Sequence, residues 1–92
     1  MIEIVRAEGV LGGEPRIDGH RISVLQVAEM IYEGGYGSEH IADRLDISLA
    51  EVHAALSYYY EHPDEMDAFR EHHREFEAQL KSESSAPSTV EQ

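Results

Sequence analysis

"SEHIADRLDISLAEVHAALSYYYEH", residues 38–62, decides how this chain folds. Ile41, Ala42 and Leu45 fall at the spacing of one buried helical face. Leu49, Val52, Leu56 and Tyr59, with Ala55 beside them, form a second such stripe. Between the two runs, "DIS" is a three-residue turn. Ser38 is expected to cap the first helix. Ser48 opens the second, and Glu51 completes a capping box with it. In that box the Ser hydroxyl accepts from the third helical amide, and the Glu carboxylate reaches back to the cap amide. His62-Pro63 closes the helix, because the residue before proline is disfavoured in helical conformation. Helix, short turn, helix is the helix-turn-helix pattern.

Upstream, Ser23 can cap a helix from Val24 to about Glu33, with Val24, Val27, Ala28 and Ile31 facing inward. Gly34-Gly35 ends it, since glycine accepts the left-handed terminus. Before that helix stands "GGEPRIDGHRISV", residues 12–24. Asp18-Gly19 fits a hairpin turn that needs positive φ. The arms are too short to stand alone, so the hairpin must lean on a helix or on another chain. Ile17 and Ile22 are its anchors. "IEIVRA", residues 2–7, alternates apolar and polar positions and reads as a short strand.

Downstream, a fourth helix is expected from Asp64 to about Lys81. Asp64, Glu65 and Asp67 crowd its first turn, where the helix dipole favours them. Met66, Phe69, His73, Phe76 and Leu80 follow one another at alternating intervals of three and four. That is a narrow heptad seam rather than a broad core face. Such a helix folds back on its own domain, forms a dimer seam, or lies in another protein's groove. "SESSAPSTVEQ", residues 82–92, is polar and expected to be disordered. The expected fold is mainly α. A three-helix helix-turn-helix domain with a short N-terminal strand and hairpin fills residues 1–62. An amphipathic helix over 63–82 and a tail over 83–92 follow.

Ninety-two residues suit one small domain. Nineteen acidic residues against seven basic ones give a net charge of −12, and Lys81 is the single lysine. Such a surface repels nucleic acid unless its cations gather on one face. It also attracts a basic protein partner. An acid excess with almost no lysine equally suits a halophile, because molar salt shortens the Debye length to roughly 3 Å. With no cysteine, disulfides, thiol chemistry and Cys-based zinc sites are excluded. No apolar run reaches membrane-spanning length and the N-terminus does not read as a signal peptide, so a cytoplasmic protein is expected.

The second helix of the helix-turn-helix has no Arg, Lys, Asn or Gln, the residues that read base edges, and carries two Glu. A scaffold role fits it better than base readout. Arg6, Arg16 and Arg21 are the candidates for contacting DNA, through the β region. Alternatively Arg16 and Arg21 pair with Glu14, Asp18 or helix carboxylates. Arg70 and Arg74 lie beside the heptad seam. They can reach a partner's acidic cluster, or pair within the helix with residues such as Glu71 and Glu77, which is worth a few tenths of a kcal/mol.

No catalytic, cofactor or metal site is expected. His73 and Glu77 stand one turn apart, but two ligands are not a site and no His-Glu-x-x-His spacing exists. Glu71 and Glu75 read as exposed-face charge.

Residues 13–56, "GEPRIDGHRISVLQVAEMIYEGGYGSEHIADRLDISLAEVHAAL", resemble the family catalogued as domain of unknown function 433. Gly13, Pro15, Ile17, Gly19, Arg21, Ile22 and Val24 match its hallmark hairpin, and Gly34 its glycine turn. His20 stands where the family usually has Thr, and Ser23 where it usually has Pro. The resemblance, over roughly residues 10–62, implies an antitoxin-like, non-enzymatic helix-turn-helix protein. It implies a homodimer, contact with operator DNA, and a PIN-like ribonuclease toxin covered by the C-terminal segment. The candidate partner-binding residues are then Met66, Phe69, Arg70, Arg74, Phe76 and Leu80. Two other readings stand beside this one. The first is a transcriptional regulator without a toxin. The second is a structural module that associates with itself through Phe69 and Phe76.

Overall fold

The computed structural model describes residues 2–90, with side chains as far as residue 83. The chain opens with a two-residue strand, β1 (Ile4–Val5), antiparallel to β2 (Arg16–Ile17). Ile4 pairs with Ile17 and Val5 with Arg16. The strand expected over residues 2–7 is shortened to the length its partner offers. A 3-10 turn over Leu11–Gly13 leads into β2. The Asp18-Gly19 hairpin forms as expected. Gly19 sits at φ 86°, the Ile17 amide donates to the Ile22 carbonyl over 3.0 Å, and Arg16 bridges to Ser23. The hairpin finds its support on both sides, in β1 and in the helices that bury Ile17.

Helix α1 (Val24–Tyr32) starts where Ser23 Oγ accepts from the Gln26 amide over 3.0 Å. It buries Val24, Val27 and Ala28 as the spacing requires, and Leu25 as well. At its end the Gly34 amide donates to the Glu29 carbonyl and the Tyr36 amide to the Met30 carbonyl. A Cβ on Gly34 would lie 2.7 Å from the Met30 carbonyl oxygen, so the turn needs glycine for close approach.

Helix α2 (Ser38–Leu45) buries Ile41. Its cap corrects the sequence reading: Gly37 is the N-cap, and Ser38 is already helical with no side-chain capping bond. Asp46, in left-handed conformation at φ 57°, reverses the chain into helix α3 (Leu49–Glu61). The capping box is present in both halves: Ser48 Oγ accepts from the Glu51 amide (3.0 Å), and Glu51 accepts from the Ser48 amide (2.8 Å). Val52 and Ala55 are fully buried, whereas Leu49, expected inside, is 40% exposed. Leu49 is the first residue of the helix and belongs neither to the core nor to the residues packed against it.

Pro63 begins helix α4 (Pro63–Val90), one residue before the expected start. Proline suits a first helical position, where its missing amide has no intrahelical partner to lose. The helix also runs past its expected end at about Lys81, as far as Val90, over most of the stretch expected to be a disordered tail (83–92); the last two positions, and the side chains from 84 on, lie outside the described residues. Ile17, Val24, Leu25, Val27, Ile41, Val52, Ala55 and Met66 form the core. Met66 comes from α4, so the break at His62-Pro63 is a bend in the chain rather than a gap in packing.

Candidate partner-binding surface

The heptad seam of α4 divides in two. Its first half belongs to the globule. Met66 is 1% exposed and closes the core, so its expected partner role gives way to a role in the fold. Phe69 packs against the same core and lies under the Arg6 guanidinium, 5.3 Å from its ring centre. The second half of the seam projects: Phe76 is 56% and Leu80 46% exposed.

Polar bonds fix the base of α4. Arg6 Nη1 donates to Glu65 Oε2 (3.1 Å), and Arg6 Nε to the Gly13 carbonyl (2.8 Å). The Tyr58 hydroxyl donates to Glu65 Oε1 over 2.5 Å. Burial, and then this bond to a carboxylate, push the Tyr58 phenol up to about 12. His73 Nε2 lies 2.5 Å from Glu14 Oε2, joining residues 59 positions apart. Glu14 is buried, and its other carboxyl oxygen has no hydrogen-bond partner among the described residues. Arg70 donates to the Tyr59 hydroxyl (2.7 Å) and lies over that ring, 5.5 Å from its centre. Arg74 pairs with Glu71, the intrahelical alternative weighed from the sequence.

The three N-terminal arginines are not gathered for one task. Arg6 ties the N-terminal segment to α4. Arg16 donates to the His20 carbonyl over 3.1 Å rather than to Glu14 or Asp18. Arg21 is exposed and has no polar partner among the described residues. His20 lies 3.1 Å from Glu51 and so links the hairpin to the start of α3. Hydrogen bonds from Ser48 hold the Glu51 carboxyl below its ordinary range, with His20 adding to the effect.

An aromatic group formed where α1 ends and α3 ends was not assigned from the sequence. Tyr32 stacks on Tyr59 at 5.9 Å, and Tyr60 stands edge-on to both, at 6.4 and 5.4 Å. The signal was available: three consecutive tyrosines, residues 58–60, cannot all face inward at 100° per helical residue. Below this group Tyr59, Tyr60, Pro63, Met66, Asp67 and Arg70 line a shallow hollow of about 120 Å³.

On the far side of Arg70, a polar cleft of about 230 Å³ is lined by Glu29, Glu33, Arg70, His73, Arg74 and Glu77. No group of three or more His, Asp or Glu among the described residues is arranged to hold a metal. No helix among them is long and apolar enough to cross a membrane.

In the cleft, burial raises the Glu29 carboxyl above its ordinary value, with Glu33 adding to the rise and His73 and Arg70 opposing it. The folded state therefore holds this proton more tightly than the unfolded chain. The resulting stability is complete below the ordinary carboxylate pKa and is lost as pH rises through the raised value. At neutral pH the Glu29 charge opposes folding. Glu29→Gln is expected to raise the urea midpoint at pH 7, with the gain vanishing towards pH 4. A variant less stable at pH 7 would show that attraction to Arg70 and His73 outweighs burial.

The profile of a family described as a protein of unknown function, DUF433, matches residues 4–59, from β1 to near the end of α3. The chain belongs to the DUF433 family. Comparison with curated proteins and with solved structures gives no match. In this DUF433 chain the matched region ends before α4, so the projecting seam lies outside what defines the family.

Proposed function

We propose that the chain is a non-catalytic, antitoxin-like protein of the cytoplasm, acting as a homodimer, whose α4 covers a PIN-like ribonuclease. The supporting observation is the division of α4. Its base is locked to the globule by Met66, Phe69, Arg6–Glu65 and Glu14–His73, and it holds Phe76 and Leu80 out in solvent. An apolar pair on a pre-formed helix loses little entropy on entering a groove, so it is suited to act as a binding anchor. The choice of ribonuclease rests on the family resemblance.

The test is RNA cleavage by the PIN-like ribonuclease of the same cell, measured in molar salt to suit the acidic chain. A stoichiometric amount of the chain is expected to suppress cleavage. Full cleavage in the presence of excess chain would overturn the reading.

A second reading, contact with operator DNA, is favoured by one observation: Arg21 is exposed and free of polar partners among the described residues. Arg21→Ala is expected to weaken binding to the promoter fragment and to lower the salt slope by about one. An unchanged slope removes DNA from the account.

A further inference from the structure

We propose that the Tyr32–Tyr59–Tyr60 face is a docking site for a cationic segment of a protein partner, separate from the α4 tip. The three rings form a corner. Tyr32 and Tyr59 are roughly parallel, with 25° between their planes, and Tyr60 stands nearly perpendicular to them at 82° and 75°. Tyr32 is 54% and Tyr60 60% exposed, so ring faces of this corner meet solvent. A guanidinium or ammonium over an exposed aromatic face gains from the ring quadrupole.

The molecule already contains this recognition once. Arg70 takes one ring of the group, with its guanidinium 5.5 Å from the Tyr59 centre and 2.7 Å from the hydroxyl. Among the described residues, Tyr32 and Tyr60 carry no such cation. The charge around them selects one. Glu33 follows Tyr32 in the chain and Glu61 follows Tyr60, both exposed, and Asp67, which pairs with Arg70 over 3.4 Å but keeps 75% of its side chain exposed, lines the hollow beside them. A cationic side chain would lay its aliphatic stem on the rings and its head against these carboxylates. An acidic segment would meet like charge. The fit is to arginine above lysine, because the planar guanidinium stacks as well as pairs.

The two contributions respond differently to salt. Attraction between exposed charges fades in molar salt, where the Debye length is about 3 Å, while the apolar contact between the side-chain stem and the rings is not screened and persists. This combination distinguishes the face from an acidic surface that attracts any polycation.

The probe is a short Arg-Gly-Ser repeat peptide, free of aromatic residues. The reporter is the protein's own tyrosine emission, which no tryptophan obscures. Saturable binding by the full chain is expected, retained within a few-fold in molar salt. Tyr60→Ala should weaken it about tenfold, and Tyr60→Phe should keep it, because the ring face is what binds. Tyr32→Ala combined with Tyr60→Ala should abolish it. Equal binding by that double variant would overturn the proposal, as would loss of binding in molar salt. So would equal binding of a Gln-Gly-Ser repeat, or a dimer of the chain that covers the face and dissolves on Tyr60→Ala. A Phe76→Ala, Leu80→Ala chain should bind the peptide normally, which keeps this result separate from the fate of the α4 reading.

Discussion

Met66→Ala is expected to lower the stability of the folded chain by about 2–5 kcal/mol. Met66 is 1% exposed and touches the core assembled by Ile17, Val24, Leu25, Val27, Ile41, Val52 and Ala55. Removing its thioether takes away buried apolar surface and leaves a void beside α3, which the bonds at either end of the α4 base cannot collapse to fill. Small domains have about 5–15 kcal/mol in hand, so the loss is a large share of the total. The check is the urea midpoint at constant slope, with Met66→Leu as a volume-conserving control expected to cost under about 1.5 kcal/mol. A midpoint for Met66→Ala equal to the parent's would mean that α4 does not close the core.

Phe76→Ala with Leu80→Ala is expected to do the reverse. Both side chains are about half exposed, so their removal should change the folding stability by no more than about 0.5 kcal/mol. Binding to the ribonuclease should fall by at least about a hundredfold, the cost of losing two apolar anchors. The pair of variants separates two jobs on one helix: Met66 serves the fold, while Phe76 and Leu80 serve the partner. If the double variant binds as the parent does, the projecting seam is not the contact.

That division was not legible in the sequence. Met66, Phe69, His73, Phe76 and Leu80 keep one spacing throughout, and nothing in the spacing marks where the globule stops. The switch is set by where the contacts of α4 with α3, Arg6 and Glu14 stop, which is a tertiary fact. The Glu14–His73 and Arg6–Glu65 pairs, each 59 residues apart in sequence, were hidden for the same reason. Local signals were read well. The Ser23 cap, the Ser48–Glu51 box and the Asp18-Gly19 turn each depend on neighbours within a few residues, and each formed. Ser38 missed because a cap is decided by which residue leaves the helical conformation first, and Gly37 did. Leu49 missed because periodicity assigns a side to a residue and says nothing of the depth of packing at a helix end.

The way α4 leaves the globule has a consequence for amide hydrogen exchange. Up to His73 the helix rests on the core and on bonds from three other segments, so opening it there requires undoing tertiary packing. Over residues 74–83 every side chain is exposed and none belongs to the core, so the backbone bonds there have no buried apolar packing behind them. A single continuous helix should therefore show slow exchange at its N-terminal turns and fast exchange a few turns later. A partner seated on Phe76 and Leu80 would register as slow exchange spreading outward along the same rod, without any change in its shape.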